Sequence, residues 1–170
     1  MRQIRPKELT YESFRKYGQF QNLLDTGSLA KAAVSSGGGF FPDVVTLNFG
    51  TTTIPTASVC YVRKEDSCVI DFIEAHRYTC EGLLPIDADM IIYVGVLKNG
   101  ELTSETLEAF VVPKGTFVKF EPLIVHGRQY ITGAEEAHAL CLLPERTFAN
   151  DMMARTLPGE EQVEIVTDAG

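Results

Sequence analysis

Glu74, His76 and Glu81 stand within eight residues of one another in the stretch DFIEAHRYTCEGLLP, residues 71–85. The chain has only three histidines, so this run holds much of its titratable chemistry near neutral pH. Two carboxylates and an imidazole can ligate a metal ion or move protons on a substrate. Alternatively, Glu74 and His76 bond each other or face water. Read as one strand, VIDFIEAHRY puts Ile70, Phe72, Glu74, His76 and Tyr78 on one face and Asp71, Ile73, Ala75 and Arg77 on the other. Such a mixed face is expected where a barrel's interior passes from packed core to polar pocket. Glu81 lies five residues beyond His76, an odd offset that points it away. A bend within RYTCEG, which ends on Gly82, would bring it round.

A fourth donor has to come from a distant strand. His126, in EPLIVHGRQY, follows an apolar run and precedes Gly127, which leaves room beside the ring. His138, in GAEEAHALCLLP, begins a strand beside an acidic turn and suits the role less well. Two imidazoles with two carboxylates fit a divalent ion such as zinc, manganese, iron or nickel.

The elements that must position these residues are mainly strands. From Val44 to about Pro144 the sequence runs in short β-branched stretches: VVTLNFG, ASVCYVR, CVIDFIEAHRY, MIIYVGVL, LEAFVVP, TFVKFE, LIVHGRQYI and HALCLLP. That spacing is typical of a sandwich or small barrel. Tight turns are predicted at Asn99-Gly100 and in PKGT, residues 113–116. Ahead of the strands, Thr10 can cap a short helix carrying Tyr11, Phe14 and Tyr17, with Gly18 ending it. The segment SSGGGFFPD lacks the lysine and helix of a phosphate loop and reads as a mobile loop that could border the site. A single domain follows, 1–170, with residues 1–43 as helix and glycine-rich loop, 44–144 as barrel and 145–170 as a C-terminal extension. The extension carries a short helix and a strand, QVEIV, that could pack on a neighbouring subunit.

Composition narrows the partners. With 170 residues, 45% of them hydrophobic, the chain can bury one sizeable core. A formal net charge of −8 and a pI near 4.9 argue against nucleic acid and anionic membrane as partners, since both reward a basic face. A small molecule or a protein is the better expectation. The opening MRQIRPKELTYESF lacks the apolar segment of a signal peptide, which predicts a cytoplasmic protein. Cys60, Cys68, Cys80 and Cys141 show neither CxxC pairing nor zinc-finger spacing and read as reduced thiols.

Taken together, Glu74, His76, Glu81, the Pro113-x-Gly115 turn and His126 resemble a cupin. The first cupin motif pairs two ligands one residue apart, with a glutamate or glutamine five residues later. The second leads from a proline-x-glycine turn into a strand. A narrower resemblance is to the ureidoglycolate lyases, in which the first motif begins with glutamate and a proline follows the later residue by four. Here IEAH, Glu81 and Pro85 occupy those places, LIVHG resembles the later histidine motif, and ELTYESFRKYGQF resembles that family's N-terminal segment.

This resemblance implies an all-β, RmlC-like cupin fold: a double-stranded β-helix, or jelly-roll barrel, with a short N-terminal helix. It implies a divalent metal ion held by Glu74, His76, Glu81 and His126. Glu74, Glu81 and Lys119 would be catalytic, while Lys119, Arg128 and Tyr93 would bind the substrate. The implied reaction is elimination of urea from ureidoglycolate to give glyoxylate, carried out by a homodimer. Two alternatives stand beside it: a cupin isomerase or epimerase of a sugar or sugar acid, and a cupin that binds a small ligand without catalysis.

Overall fold

A computed structural model describes residues 1–167. β1 (Arg2–Ile4), β2 (Pro6–Glu8), α1 (Tyr11–Phe14), β3 (Gly18–Asn22) and α2 (Thr26–Ala32) come first. After an irregular stretch follow β4 (Pro55–Arg63), β5 (Cys68–Ile70), β6 (Phe72–Ala75), β7 (Glu81–Pro85) and β8 (Met90–Val96). Then come β9 (Glu108–Val112), β10 (Thr116–Phe120), β11 (Ile124–Val125) and β12 (Glu136–Pro144). The chain continues through α3 (Thr147–Asn150), β13 (Met153–Thr156) and β14 (Val163–Ile165). Among the described residues no helix is long and apolar enough to cross a membrane.

Two sheets face each other. One has the order β3-β10-β7-β12-β4, and the other β11-β8-β9-β2. Paired hydrogen bonds between Glu74 and His126, each 2.8 Å, link β11 to β6, which pairs in turn with β13. Between the sheets lies a core that includes Leu83, Ile92, Phe110, Val118, Phe120 and Leu143. Thr10 caps α1 through a reciprocal box with Ser13, both bonds being 3.2 Å. This orients Phe14 inward, edge-on to Phe110 at 5.5 Å, so the helix closes one end of the core. Asn99 and Gly100, with φ of 54° and 81°, form the predicted tight turn.

A second core forms on the far side of β8. Its third layer is the sheet β1-β14-β5, and it buries Ile70, Ile91, Tyr93, Val125, Val163 and Ile165. Successive residues of β8 therefore serve different cores, with Met90, Ile92 and Val94 in the first and Ile91 and Tyr93 in the second. This explains why MIIYVGV is apolar throughout instead of alternating.

Three sequence expectations change. VVTLNFG forms no strand, because its backbone is committed to the turn ahead of β7: the Cys80 N–H donates to the Asn48 carbonyl at 3.0 Å. The barrel strands accordingly begin at Pro55. CVIDFIEAHRY is two strands rather than one, since β5 pairs with β14 and β6 with β13. The break falls at Asp71, whose carbonyl accepts from Leu157 N–H, and it brings Ile70 and Ile73 both to full burial. Finally, the apolar residues of QVEIV are covered within the chain: β14 pairs with β1 and β5, and Val163 and Ile165 are buried. They give no reason to place a second subunit there. Because Ile165 seals the second core, Ile165→Ala is expected to cost about 2–5 kcal/mol in equilibrium urea unfolding. Light scattering should show the oligomeric state unchanged.

Candidate metal centre

His76 follows β6 directly, and His126 follows β11. The Glu74–His126 ladder holds these two strands side by side, which places the two imidazole centroids 5.2 Å apart. Glu81 opens β7 on the opposite sheet, in register with Phe120 of β10. The histidines thus come from one sheet and the carboxylate from the other, and they meet between them. Glu81 Oε2 lies 3.2 Å from both His76 Nε2 and His126 Nε2. Ligand atoms of the three residues all fall within 4.8 Å of one another, and each residue is buried.

The bend expected in RYTCEG is present, and its cause lies in the C-terminal extension. The Asp151 carboxylate accepts three successive backbone N–H groups, those of Arg77 at 2.7 Å, Tyr78 at 3.0 Å and Thr79 at 3.1 Å. Its own carbonyl accepts from His76 Nδ1 at 2.7 Å. One buried residue therefore sets both the turn that redirects Glu81 and the orientation of the His76 ring. His126 Nδ1 is anchored likewise, to the Ile124 carbonyl at 2.8 Å, and Phe120 stacks on its ring at 5.1 Å.

These anchors determine the chemistry. A carbonyl only accepts, so both Nδ1 atoms carry the hydrogen. Both Nε2 atoms then present lone pairs to a carboxylate oxygen, unless a proton or a metal ion lies among them. Burial opposes charge on Glu81, but the two imidazoles outweigh it and hold the acid down at about 2. Burial likewise opposes charge on His126, yet Glu81 and then Glu74 push it up to about 9. Two imidazole nitrogens with a carboxylate oxygen, each anchored from behind, fit a divalent ion of the zinc-to-manganese range.

Above the cluster opens a pocket of about 420 Å³, whose lining includes Cys60, Tyr61, Arg63, Phe72, Glu74, Glu81, Arg128, Cys141 and Phe148. Glu74 lies on its wall, outside the group of three converging ligands. Desolvation, reinforced by Glu81, raises its carboxyl above the ordinary value against the pull of His126. Phe148 of α3 stands edge-on to His76 at 6.3 Å.

The substrate-binding candidates fare differently. Lys119 pairs in register with Gly82, while its neighbours Val118 and Phe120 point with Leu83 into the first core. Alternation therefore sends Lys119 to the other face of the sheet from Glu81, where it ion-pairs with Glu121 at 2.7 Å. Tyr93 faces the second core, and its hydroxyl donates to the Phe72 carbonyl at 2.7 Å. That hydroxyl is also why residue 127 is glycine: a Cβ there would fall 1.9 Å from it. Arg128 reaches the rim of the pocket, but its guanidinium is engaged by Glu65 at 2.8 Å and the Val69 carbonyl at 3.0 Å. His138 lies away from the centre and pairs with Asp87 at 2.6 Å.

No protein-family model matches the sequence, and no curated protein matches it either. Among solved structures, a dTDP sugar isomerase from Desulfovibrio desulfuricans G20 shares the fold with a TM-score of 0.51, 13% identity and 84% coverage of each chain. RmlC from Streptococcus suis, solved in complex with dTDP-D-xylose, matches with a TM-score of 0.39 and 12% identity. That match covers 54% of this chain and 44% of the other, less than half its length. The architecture is an all-β cupin jelly roll. Removing the Asp151 carboxylate strands three backbone donors, the Thr79 N–H among them buried, so Asp151→Ala is expected to lower stability by about 3 kcal/mol in thermal unfolding. Asp151→Asn, which keeps one acceptor oxygen, should lose less.

Proposed function

We propose that the pocket is the active site of a metal-dependent isomerase or epimerase acting on a sugar or sugar acid. The observation that carries this reading is the buried His76–Glu81–His126 convergence beneath a pocket whose wall bears a second carboxylate, Glu74. The cupin fold shared with a sugar isomerase over 84% of each chain adds support. For the carbon–nitrogen lyase reading, Lys119 and Tyr93 do not line the pocket.

In the proposed reaction the two carboxylates have separate tasks. Glu81 is pinned by both imidazoles and serves to hold an ion, so Glu74 is the group left to carry a proton. Glu74 takes a proton from the carbon beside the substrate carbonyl, and negative charge develops on the carbonyl oxygen. In an isomerisation the same carboxyl returns the proton to the former carbonyl carbon, while the hydroxyl proton of the first carbon passes to the former carbonyl oxygen. In an epimerisation solvent water delivers a proton to the opposite face of the original carbon, and Glu74 releases the proton it took to solvent. A divalent ion held by His76, Glu81 and His126 would supply positive charge where the oxygen becomes negative. Phe72 and Phe148 offer apolar faces to the substrate's C–H groups.

Protein loaded in turn with manganese, zinc, iron and nickel should exchange deuterium from heavy water into the carbon beside the carbonyl of a ketose, aldose or uronate. NMR reads this exchange. Glu74→Gln should slow it by about 10²–10⁴-fold while leaving metal affinity, read by calorimetry, within a few-fold of wild type. Absence of exchange across the whole panel, together with urea released from ureidoglycolate above its spontaneous rate, would replace this reading by the lyase.

A further inference from the structure

Among the described residues, two cations line the pocket, Arg63 and Arg128, and both are committed elsewhere. β4 alternates, with Cys60 and Val62 turned to the first core, so Tyr61 and Arg63 fall on the outer face of the sheet. There Arg63 Nε donates to the Tyr61 hydroxyl at 2.9 Å, and that hydroxyl donates to the Glu136 carboxylate at 2.6 Å. Arg128 uses all three of its nitrogens. Nε donates to the Tyr130 hydroxyl at 3.1 Å, Nη1 to Glu65 at 2.8 Å and Nη2 to the Val69 carbonyl at 3.0 Å. A second carboxylate, Asp71, lies 3.7 Å from Nη2. The guanidinium also covers the ring of Tyr130, 4.9 Å from its centroid, and Tyr130 packs in the second core. Arg128 is thus tied to the layer behind the pocket.

The carboxylates are placed the other way. Glu74 and Glu81 both line the pocket beside the histidine centre. An ion held by His76, Glu81 and His126 would set two positive charges against these two negative ones, and Glu65 balances Arg128. No positive charge is then left over for a carboxylate or phosphate on the substrate. An anion entering would give up its water without a counter-charge in return, which burial makes costly. An uncharged sugar escapes that cost: its hydroxyls donate to carboxylate oxygens, and its C–H faces meet Phe72 and Phe148. The volume of about 420 Å³ is near the small end for a ligand site and accommodates a single sugar ring.

We propose that Glu65, by holding Arg128, confines this pocket to uncharged monosaccharides and turns away sugar acids and sugar phosphates. Glu65 determines specificity through Arg128 and does not itself touch the substrate. This selectivity rests on the pocket being a sugar site, but it concerns which sugars bind and not what happens to them.

Titration of the zinc-loaded full chain with glucose, galactose and mannose, each beside its uronate and its 6-phosphate, tests this by NMR. At least one neutral sugar is expected to bind about ten-fold more tightly than both of its charged counterparts. Glu65→Gln, an isosteric change that removes the nearest counter-charge from Arg128, should raise affinity for that uronate about three-fold or more. Glu136→Gln, which removes a carboxylate on the outer face of the sheet, should not. A uronate or phosphate that binds as tightly as its neutral counterpart, no binding of any neutral sugar, or an unchanged uronate affinity in Glu65→Gln would overturn the proposal. A neutral sugar bound with the expected selectivity but showing no deuterium exchange would remove the isomerase reading and leave this selectivity standing.

Discussion

A carboxylate oxygen and two imidazole nitrogens, buried together and aimed at one point, repel one another unless positive charge lies among them. Most of the surrounding structure keeps them aimed there. The Glu74–His126 ladder fixes the two histidine-bearing strands at sheet spacing. Two backbone carbonyls fix the ring tautomers, and Phe120 fixes the plane of one ring. Glu81 arrives from the opposing sheet, so closing the jelly roll and assembling the centre are one event. Such rigidity suits ion binding, because donors held in place beforehand lose little further freedom when an ion enters.

The same constraint separates the roles of two residues of the same type. Glu74 and Glu81 are seven positions apart and face the same pocket, yet one is raised by desolvation and the other held low by its imidazole contacts. The pocket therefore sets two carboxyls apart, one raised and one held low. Environment, rather than residue type, sets that difference.

Several parts of this arrangement were legible in the sequence. The β-branched rhythm marked the strands from Pro55 onward. Glu81's odd offset from His76, with Gly82 beside it, exposed the bend, and the apolar run before His126 with Gly127 after it pointed to the second histidine. Other parts depended on contacts that leave no local trace. Lys119 and Tyr93 sit in β10 and β8, where nearly every position is buried and no alternation tells one face from the other. VVTLNFG has strand propensity, but its backbone is claimed by the turn at Cys80. Asp151 was invisible because its three side-chain partners are backbone N–H groups more than seventy residues away, and such groups carry no signature of residue type.

The position of Asp151 also bears on how the protein matures. Glu74, His76, Glu81 and His126 all precede it in the chain, as do the strands that enclose the core. During synthesis the barrel strands emerge first and can begin to pair. The turn that directs Glu81 inward, and the carbonyl that orients His76, are missing until residue 151 has emerged. β14, which covers the second core behind β8, comes later still. The three converging donors are therefore incompletely positioned in a nascent chain, and their spacing exists only after the extension has docked.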